Sequence, residues 1–230
     1  MNEKLIRNLE LLGIVSLLSY TAAVVFSPLM DPGYNWMAQA VSGLSAESAP
    51  SRTLWTQLSA GYMPCGIVCV TVCCVAVKGR YNRIVRVGVY LFAAMSWVST
   101  VGYTMFPLTA AGLSGQFQDV MHLVVTAAVV LLSLSSLAMI AFGGLVQKGF
   151  PSLGWWALAA LTLMMTGAVG TAMVPPAFFG IPERFSVFAA AGFTAALGVC
   201  PPESSKSQSR RQKFSPAETR IVSAGENFMD

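Results

Sequence analysis

Charge is scarce in this sequence of 230 residues. Only 10% of the residues are Asp, Glu, Lys or Arg, where a typical soluble protein has about 25%. In contrast, 55% are hydrophobic and the mean hydropathy is +0.63. This balance excludes a soluble enzyme, and it also excludes a disordered chain, because disordered chains are low in hydrophobicity. We therefore predict an all-α, polytopic membrane protein.

The apolar residues form six runs of about twenty, the length with which a helix crosses a hydrocarbon core of about 30 Å. The predicted six-transmembrane-helix bundle has helices at 11–29, 58–77, 87–108, 123–145, 153–174 and 181–200. The sixth is the weakest, because its uninterrupted apolar part covers only 185–200. Residues 201–230 have almost no apolar content and are predicted to be a disordered tail.

Basic residues are almost missing from one side of the predicted bundle. Of the 14 Lys and Arg residues, only Arg52 and Arg184 fall on the side opposite the N-terminus. The positive-inside rule then places the N-terminus and the C-terminus in the cytoplasm. We expect a multi-pass protein of the cytoplasmic cell membrane whose longest outer loop is 30–57.

Histidine occurs once, as His122, and none of the five cysteines lies in a predicted outer loop. A multi-histidine metal centre needs several imidazoles around one ion, so we predict no metal and no cofactor. Cys65, Cys69 and Cys73 follow one face of the second predicted helix. This pattern indicates a packing face and no disulfide framework.

No ionisable residue lies near the middle of any predicted span. Ion-coupled transporters usually have one there, so this class is disfavoured, while a passive pore or a lipid-handling groove stays open. Small residues are dense in helices five and six, which predicts close helix packing, with a homo-oligomer face as the alternative. They are Gly167, Gly170, Thr171, Ala191, Gly192, Ala195, Ala196 and Gly198.

The remaining polar residues are concentrated at the predicted outer ends of the helices. In the outer loop, helical spacing predicts a short amphipathic helix, either on the membrane surface or over the bundle mouth. The residues with this spacing are Trp36, Met37, Ala40, Val41 and Leu44.

Asp119 and His122 share one face at the predicted start of the fourth helix. Asp119 suits the positive end of the helix dipole and is interpreted as a cap. With Ser42 from the outer loop, the pair also has the residue types of a nucleophile, a base and an orienting carboxylate. The sequence has no Gly-x-Ser-x-Gly elbow to support this alternative.

Glu183 and Arg184 open the sixth predicted helix on the same side. A guanidinium that turns into the bundle needs a carboxylate partner. We therefore expect Arg184 to pair with Glu47 or Asp119, close to His122.

Three short motifs of the predicted outer face are similar to those of one known family. They are Asp31-Pro32-Gly33-Tyr34-Asn35 followed by Gln39, Val41, Ser42 and Leu44; His122; and Gly180-Ile181-Pro182-Glu183-Arg184. They resemble a prokaryotic integral-membrane family, domain-of-unknown-function 998. Asn35 and the residues after Phe106-Pro107 lack acidic side chains that this family has. The resemblance covers most of 5–199 and implies a six-helix fold with an outer polar cluster, but no activity.

The leading hypothesis is a membrane protein that binds a lipid or amphiphile headgroup in an extracytoplasmic polar pocket. Arg favours phosphate or carboxylate, and the surrounding helices would accept apolar tails. Two alternatives stay open: a membrane-embedded hydrolase using Ser42, Asp119 and His122, and a non-catalytic scaffold subunit bound through its Gly and Ala faces. Beyond the lipid bilayer and such a ligand, no nucleic-acid partner is expected. The predicted ligand-binding residues are Tyr34, Gln39, Ser42, His122, Glu183 and Arg184.

Overall fold

The computed structural model describes residues 3–78, 81–110, 115–146 and 151–200, and in these ranges the chain is built from helices. The α-helices are α1 (Glu3–Glu10), α2 (Leu12–Phe26), α3 (Arg52–Leu58), α4 (Tyr62–Ala76), α5 (Arg83–Met105), α6 (Phe117–Val146), α7 (Pro151–Met173) and α8 (Gly180–Val199). Short 3-10 helices cover Ser27–Met30, Val41–Ser45 and Pro176–Phe178. The predicted disordered tail, 201–230, lies outside the described residues.

Five helical segments of the described chain are long and apolar enough to cross a membrane. They are Lys4–Met30, Arg52–Ala76, Arg83–Met105, Phe117–Val146 and Pro151–Met173. The chain is therefore a multi-pass helical membrane protein by the length and composition of its helices. Helix α8 occupies the position of the sixth predicted span but is not one of the five.

The long helices are arranged in a ring. Helix α2 packs on α4 and α8, and the ring continues from α4 through α5, α6 and α7 back to α8. Halfway along the bundle, the rings of Phe92 on α5 and Phe193 on α8 meet nearly at right angles, with centroids 5.0 Å apart. Both side chains are buried, so the interior of the ring is filled at this level. This geometry does not fit the passive pore that the sequence left open.

Small residues allow the helices of the ring to approach closely. A Cβ atom at Gly167 or Gly170 would collide with Pro182 of α8, and one at Gly198 would collide with the backbone of Glu10. These three glycines therefore serve packing within one chain, as the sequence predicted. Gly192, in contrast, has no atom within 4 Å of an added Cβ.

The amphipathic helix predicted over residues 36–44 is wrong. Residues 36–38 form a turn, and in this stretch only Val41–Ser45 is helical, as a short 3-10 segment. The physical reason is that backbone carbonyls of this stretch accept hydrogen bonds from α8, including Met37 O from Gly180 N at 2.7 Å. Tertiary contacts have taken the acceptors that an α-helix would use for itself.

Candidate functional site

Residues 31–51, here called the cap, cross one end of the ring. The amides of Glu47 and Ser48 donate to the carbonyls of Leu108 and Thr109, which follow α5. Leu44 of the cap is completely buried. The cap therefore connects the first turn of α8 with the segment between α5 and α6. We call this end of the ring, where α2 and α5 end and α4, α6 and α8 begin, the cap end.

Arg184 fixes the cap to α8. Its Nη1 donates to the carbonyls of Trp36 at 2.7 Å, Gln39 at 3.2 Å and Gly180 at 2.7 Å. Its Nη2 donates to the hydroxyl of Tyr34 at 2.7 Å. The guanidinium carbon also lies over the rings of Tyr34 and Trp36, 6.0 and 5.8 Å from their centroids. Such contacts stabilise a cation without a carboxylate.

The expected ion pair of Arg184 with Glu47 or Asp119 is therefore wrong for the chain as described. The partners of the guanidinium are backbone carbonyls, a phenol and two aromatic rings, which together replace a carboxylate. The hydroxyl of Tyr34 in turn donates to the carbonyl of Ala40 at 3.0 Å, so the chain of hydrogen bonds from Arg184 continues into the cap. Burial raises the pKa of Tyr34, which keeps the phenol protonated and able to donate.

Glu183, the neighbour of Arg184, also contacts the cap. Its Oε2 accepts the amide hydrogen of Val41 at 3.2 Å. Glu183 lies outside the five candidate membrane spans, and burial raises its pKa to about 7, against the opposing effects of the Val41 amide and Arg184. The carboxyl group therefore lies beside Val41, whose side chain packs on Tyr20.

Tyr20 is the centre of an aromatic group below the cap. Its ring centroid is 4.5 Å from that of Tyr62, 5.5 Å from Phe188 and 6.0 Å from Trp55. Val41 of the cap packs on the same group. Helices α2, α3, α4 and α8 thus each contribute one aromatic side chain.

His122 lies at the same end on α6. Its Nδ1 is 2.8 Å from the carbonyl oxygen of Phe106, which can only accept, so Nδ1 carries a hydrogen and donates it. The imidazole packs on Tyr103, with ring centroids 4.8 Å apart. The hydroxyl of Tyr103 donates to Thr126 Oγ1 at 3.1 Å.

The predicted catalytic residues do not form a hydrogen-bonded chain. Asp119 is fully buried and accepts the amide and hydroxyl hydrogens of Thr109, so it orders the segment before α6. The hydrogen-bonding contact of the His122 ring is with Phe106, and neither Asp119 nor Ser42 is bonded to it. In the described part of the chain, no group of three His, Cys, Asp or Glu residues could hold a metal ion.

The six predicted ligand-binding residues divide into two sets. Tyr34 and Arg184 hold the cap, and Gln39 joins them through its carbonyl, while its side-chain oxygen accepts the amide of Asn35 at 2.7 Å. Ser42 lies in the 3-10 turn, where its carbonyl accepts a bond from Ser45. His122 and Glu183 belong to a different group, which we call the polar cluster. Its members are Tyr20, Tyr62, Tyr103, His122 and Glu183.

The polar cluster has atoms that lack a protein partner and yet are reachable. In the described residues, the unpaired side-chain atoms that are sealed from solvent belong to Ser27, Arg86 and Ser133. Among the residues that the structure describes, the hydroxyls of Tyr20 and Tyr62 and Oε1 of Glu183 have no hydrogen-bond partner, and none of these atoms is among the sealed ones. Each of these three atoms is therefore exposed to a small extent.

Sequence reasoning missed the three tyrosines. Each lies within two turns of the cap end of its helix, and a tyrosine at that depth reads as an ordinary interfacial aromatic. These tyrosines come near Glu183 only because their helices pack side by side. The spacing of residues along the sequence does not show which helices are neighbours. Their recurrence near one end of three different helices is the signal that was available.

Taken together, the helices, the cap and the polar cluster define a multi-pass helical membrane protein with polar side chains gathered at one end. The family model "Protein of unknown function (DUF998)" matches residues 14–200, and the chain belongs to this family. The matched region contains the cap and every member of the polar cluster, and the resemblance drawn from the motifs is confirmed. No curated protein matches the chain, and no solved structure matches it.

Proposed function

We propose that the protein binds the headgroup of a lipid or other amphiphile in the polar cluster, on the outer face of the cytoplasmic membrane. The observation that carries the proposal is the position of Glu183 beside the aromatic group below the cap: its Oε2 accepts the amide of Val41, and the Val41 side chain packs with Tyr20 and Tyr62. Ligand sites in helical membrane proteins are formed in this way, from a few polar groups among apolar walls.

The depth of the cluster supports a headgroup as the ligand. Tyr103 lies 11 residues beyond Phe92, or about 16 Å along α5, and Glu183 lies 10 residues before Phe193, or about 15 Å along α8. The cluster is therefore near the end of the bundle, and the two phenylalanines close the interior beneath it. A ligand would enter from the cap end and would not pass through.

Apolar side chains around the cap end support a ligand with a tail. Leu29 and Phe117 are each 75% exposed, and Phe26, Met30 and Met105 are also exposed. In a membrane, these side chains would contact acyl chains at the level of the polar cluster. An amphiphile could then place its headgroup in the cluster and its tail against the helices.

The charge distribution supports an outer location for the cap end. Arg52 and Arg184 belong to this end, whereas the other 12 basic residues belong to the opposite side if α8 is a sixth span. Both termini would then be cytoplasmic. The buried residues Ala189, Ala191 and Phe193 join α8 to the same core as the five candidate spans, which supports this role for α8.

Lipid exchange followed by native mass spectrometry tests the proposal. The protein in mild detergent would be incubated with a mixture of amphiphiles, and bound adducts would be compared between variants. Changing Tyr20 and Tyr62 to Phe removes both reachable hydroxyls and keeps both rings, so retention of the adduct should fall. Tyr90→Phe, on a 42% exposed residue of α5, is the matched control and should retain it. Equal retention in all three proteins would contradict the proposal.

A further inference from the structure

We infer that the end of the ring opposite the cap binds the phosphate of an anionic membrane lipid, through Arg83 and Arg86 at the start of α5. No member of the polar cluster takes part in this second site. The inference is therefore independent of the proposed function, and the two can fail separately.

Both guanidinium groups are without a partner in the protein. Among the described residues, neither the Arg83 side chain nor the Arg86 side chain forms a hydrogen bond or an ion pair. The two residues are three positions apart on one helix, so their Cβ atoms are separated by about 5 to 6 Å, and like charges at this spacing repel each other. An anion that both side chains reach would remove this repulsion.

The Arg86 side chain is held against the protein. It is half-buried, and its Nε is sealed from solvent without an acceptor. Nη1 and Nη2 are not among the sealed atoms of the described chain, so the N–H groups on these two atoms are the reachable ones. A planar pair of donors of this kind matches two oxygens of a phosphate. Because its inner edge is already buried, this guanidinium loses less freedom on binding than a fully solvated one.

The level of the two arginines in the membrane fits a lipid phosphate. Arg83 is the first residue of the candidate span Arg83–Met105, whose 23 residues extend about 34 Å, slightly more than an apolar core of about 30 Å. Arg86 lies only one helical turn further along. Long basic side chains at this depth reach the headgroup layer with their charged ends.

The face of α5 that continues from Arg83 suits an acyl chain. Val87, Tyr90 and Trp97 lie four, seven and fourteen positions after Arg83, which places all of them on one face of the helix. Their side chains are 45%, 42% and 49% exposed. A soluble phosphate would leave this apolar face bare, whereas the tail of a lipid would cover it. The shared face therefore favours a lipid as the source of the phosphate.

The positive-inside rule does not account for this arrangement. It requires basic residues at one end of the bundle, and an exposed residue such as Arg7 of α1 meets that requirement. It does not require a guanidinium whose Nε is sealed against the protein while its outer edge stays unpaired, as in Arg86. A bound anion gives that outer edge a partner.

Lipid titration tests the inference on the full-length protein, stripped of lipid in maltoside detergent. Phosphatidylglycerol and phosphatidylcholine with the same acyl chains differ in headgroup charge, and native mass spectrometry measures the binding of each. We expect phosphatidylglycerol to bind about tenfold more tightly, since one charge-assisted contact is worth about this factor. Arg86→Gln keeps a polar side chain and removes the charge, so it should weaken phosphatidylglycerol binding about tenfold and leave phosphatidylcholine binding unchanged.

Arg7→Gln is the matched control, because it removes one positive charge from an exposed residue at the same end of the ring. Phosphatidylglycerol binding should survive this change, and an equal loss in both variants would show surface attraction and overturn the inference. If Arg86→Gln does not fold, Arg83→Gln, on an exposed residue, replaces it and should also weaken phosphatidylglycerol alone.

Two further arms identify the source of the phosphate and the place of binding. Glycerol 3-phosphate has the phosphate without the tail and should not displace phosphatidylglycerol at equal concentration. Displacement would assign the site to a soluble phosphate and overturn the inference. Changing Tyr20 and Tyr62 to Phe should leave phosphatidylglycerol binding sensitive to Arg86→Gln. Binding that is lost with the two tyrosines and unaffected by Arg86→Gln would place the lipid in the polar cluster, which also overturns the inference while supporting the proposed function.

Discussion

Arg184 donates to the hydroxyl of Tyr34 across 2.7 Å, although 150 positions separate the two residues in the sequence. The adjacent residue, Glu183, binds the cap through the amide of Val41, whose side chain packs on Tyr20. One turn of α8 therefore performs two tasks, since it holds the cap in place and presents a carboxyl group below it. A change that loosens the cap should also disturb the cluster.

Replacement of Arg184 should destabilise the protein more than replacement of Arg52. Arg184→Ala leaves three carbonyls of the cap end and the Tyr34 hydroxyl without their donor, which should cost about 2 to 3 kcal/mol. Arg52→Ala removes an exposed side chain and should cost about 0 to 1 kcal/mol. Thermal unfolding in detergent measures both, and equal losses would show that the contacts of Arg184 do not hold the cap.

A methyl group at Gly180 should displace the cap. A Cβ atom there would collide with the carbonyls of Trp36 and Gln39 and with Nη1 of Arg184. Gly180→Ala should therefore increase proteolysis of the cap and lower the melting temperature. Gly192→Ala is the control on the same helix, where the new methyl group meets nothing within 4 Å and alanine favours the helix by up to about 1 kcal/mol. Cap proteolysis that is the same in both variants would contradict the assignment.

The sequence predicted the helices well because each is encoded locally. The apolar run predicted at 87–108 is helix Arg83–Met105, and the run predicted at 153–174 is helix Pro151–Met173. Length and hydrophobicity are sufficient here, since lipid leaves the backbone no alternative to a helix. The ends differ by a few residues because caps decide them, as Asn82 does when its side chain accepts the amide of Val85 at the start of α5.

The conformation of the cap and the composition of the site depend on contacts between residues that are far apart in the sequence. Local sequence patterns do not show such contacts. Trp36 and Leu44 have helical spacing, but carbonyls of their segment bind Arg184 and Gly180 of a helix that starts about 140 positions later. The choice of His122 and Glu183 as site residues placed both at the correct end. Their neighbour Tyr20 could be found only once α2 and α8 were seen side by side.

Ser42 should not react as a catalytic serine. In the described residues the imidazole of His122 is hydrogen-bonded to neither Ser42 nor Asp119, and Asp119 is bonded to Thr109, so no base is in place for the hydroxyl of Ser42. A fluorophosphonate probe applied to the folded protein in detergent should label Ser42 no more than the Ser42→Ala variant. Labelling that depends on both Ser42 and His122 would restore the hydrolase alternative.

The cap should be reachable from outside the cell and the turn after α4 only from inside. Ser48 of the cap and Lys78 after α4 are both exposed, so each can be replaced by cysteine, with the unmodified protein as the blank. A membrane-impermeant maleimide should modify Ser48→Cys in intact cells and Lys78→Cys only in inverted vesicles. The reverse pattern would place the polar cluster on the cytoplasmic side and contradict the proposed orientation.

Glu183 should make stability depend on pH around neutrality. Its pKa is raised to about 7 in the folded protein, from 4.5 for an ordinary carboxyl group, so the folded state binds the proton more tightly than the unfolded state. Its contribution to stability is therefore complete below pH 4.5 and is lost as the pH rises through about 7. Discounted for partial exposure, the loss of stability between pH 5 and 8 should be about 2 kcal/mol.

The Glu183→Gln variant isolates the contribution of this carboxyl group, because the glutamine cannot titrate and every other ionisable group is common to both proteins. The difference between the unfolding curves of the two proteins therefore measures Glu183 alone. The melting temperature of the unmodified protein should fall relative to the variant over this range, and curves that stay parallel would show that the pKa of Glu183 is not raised in the folded protein.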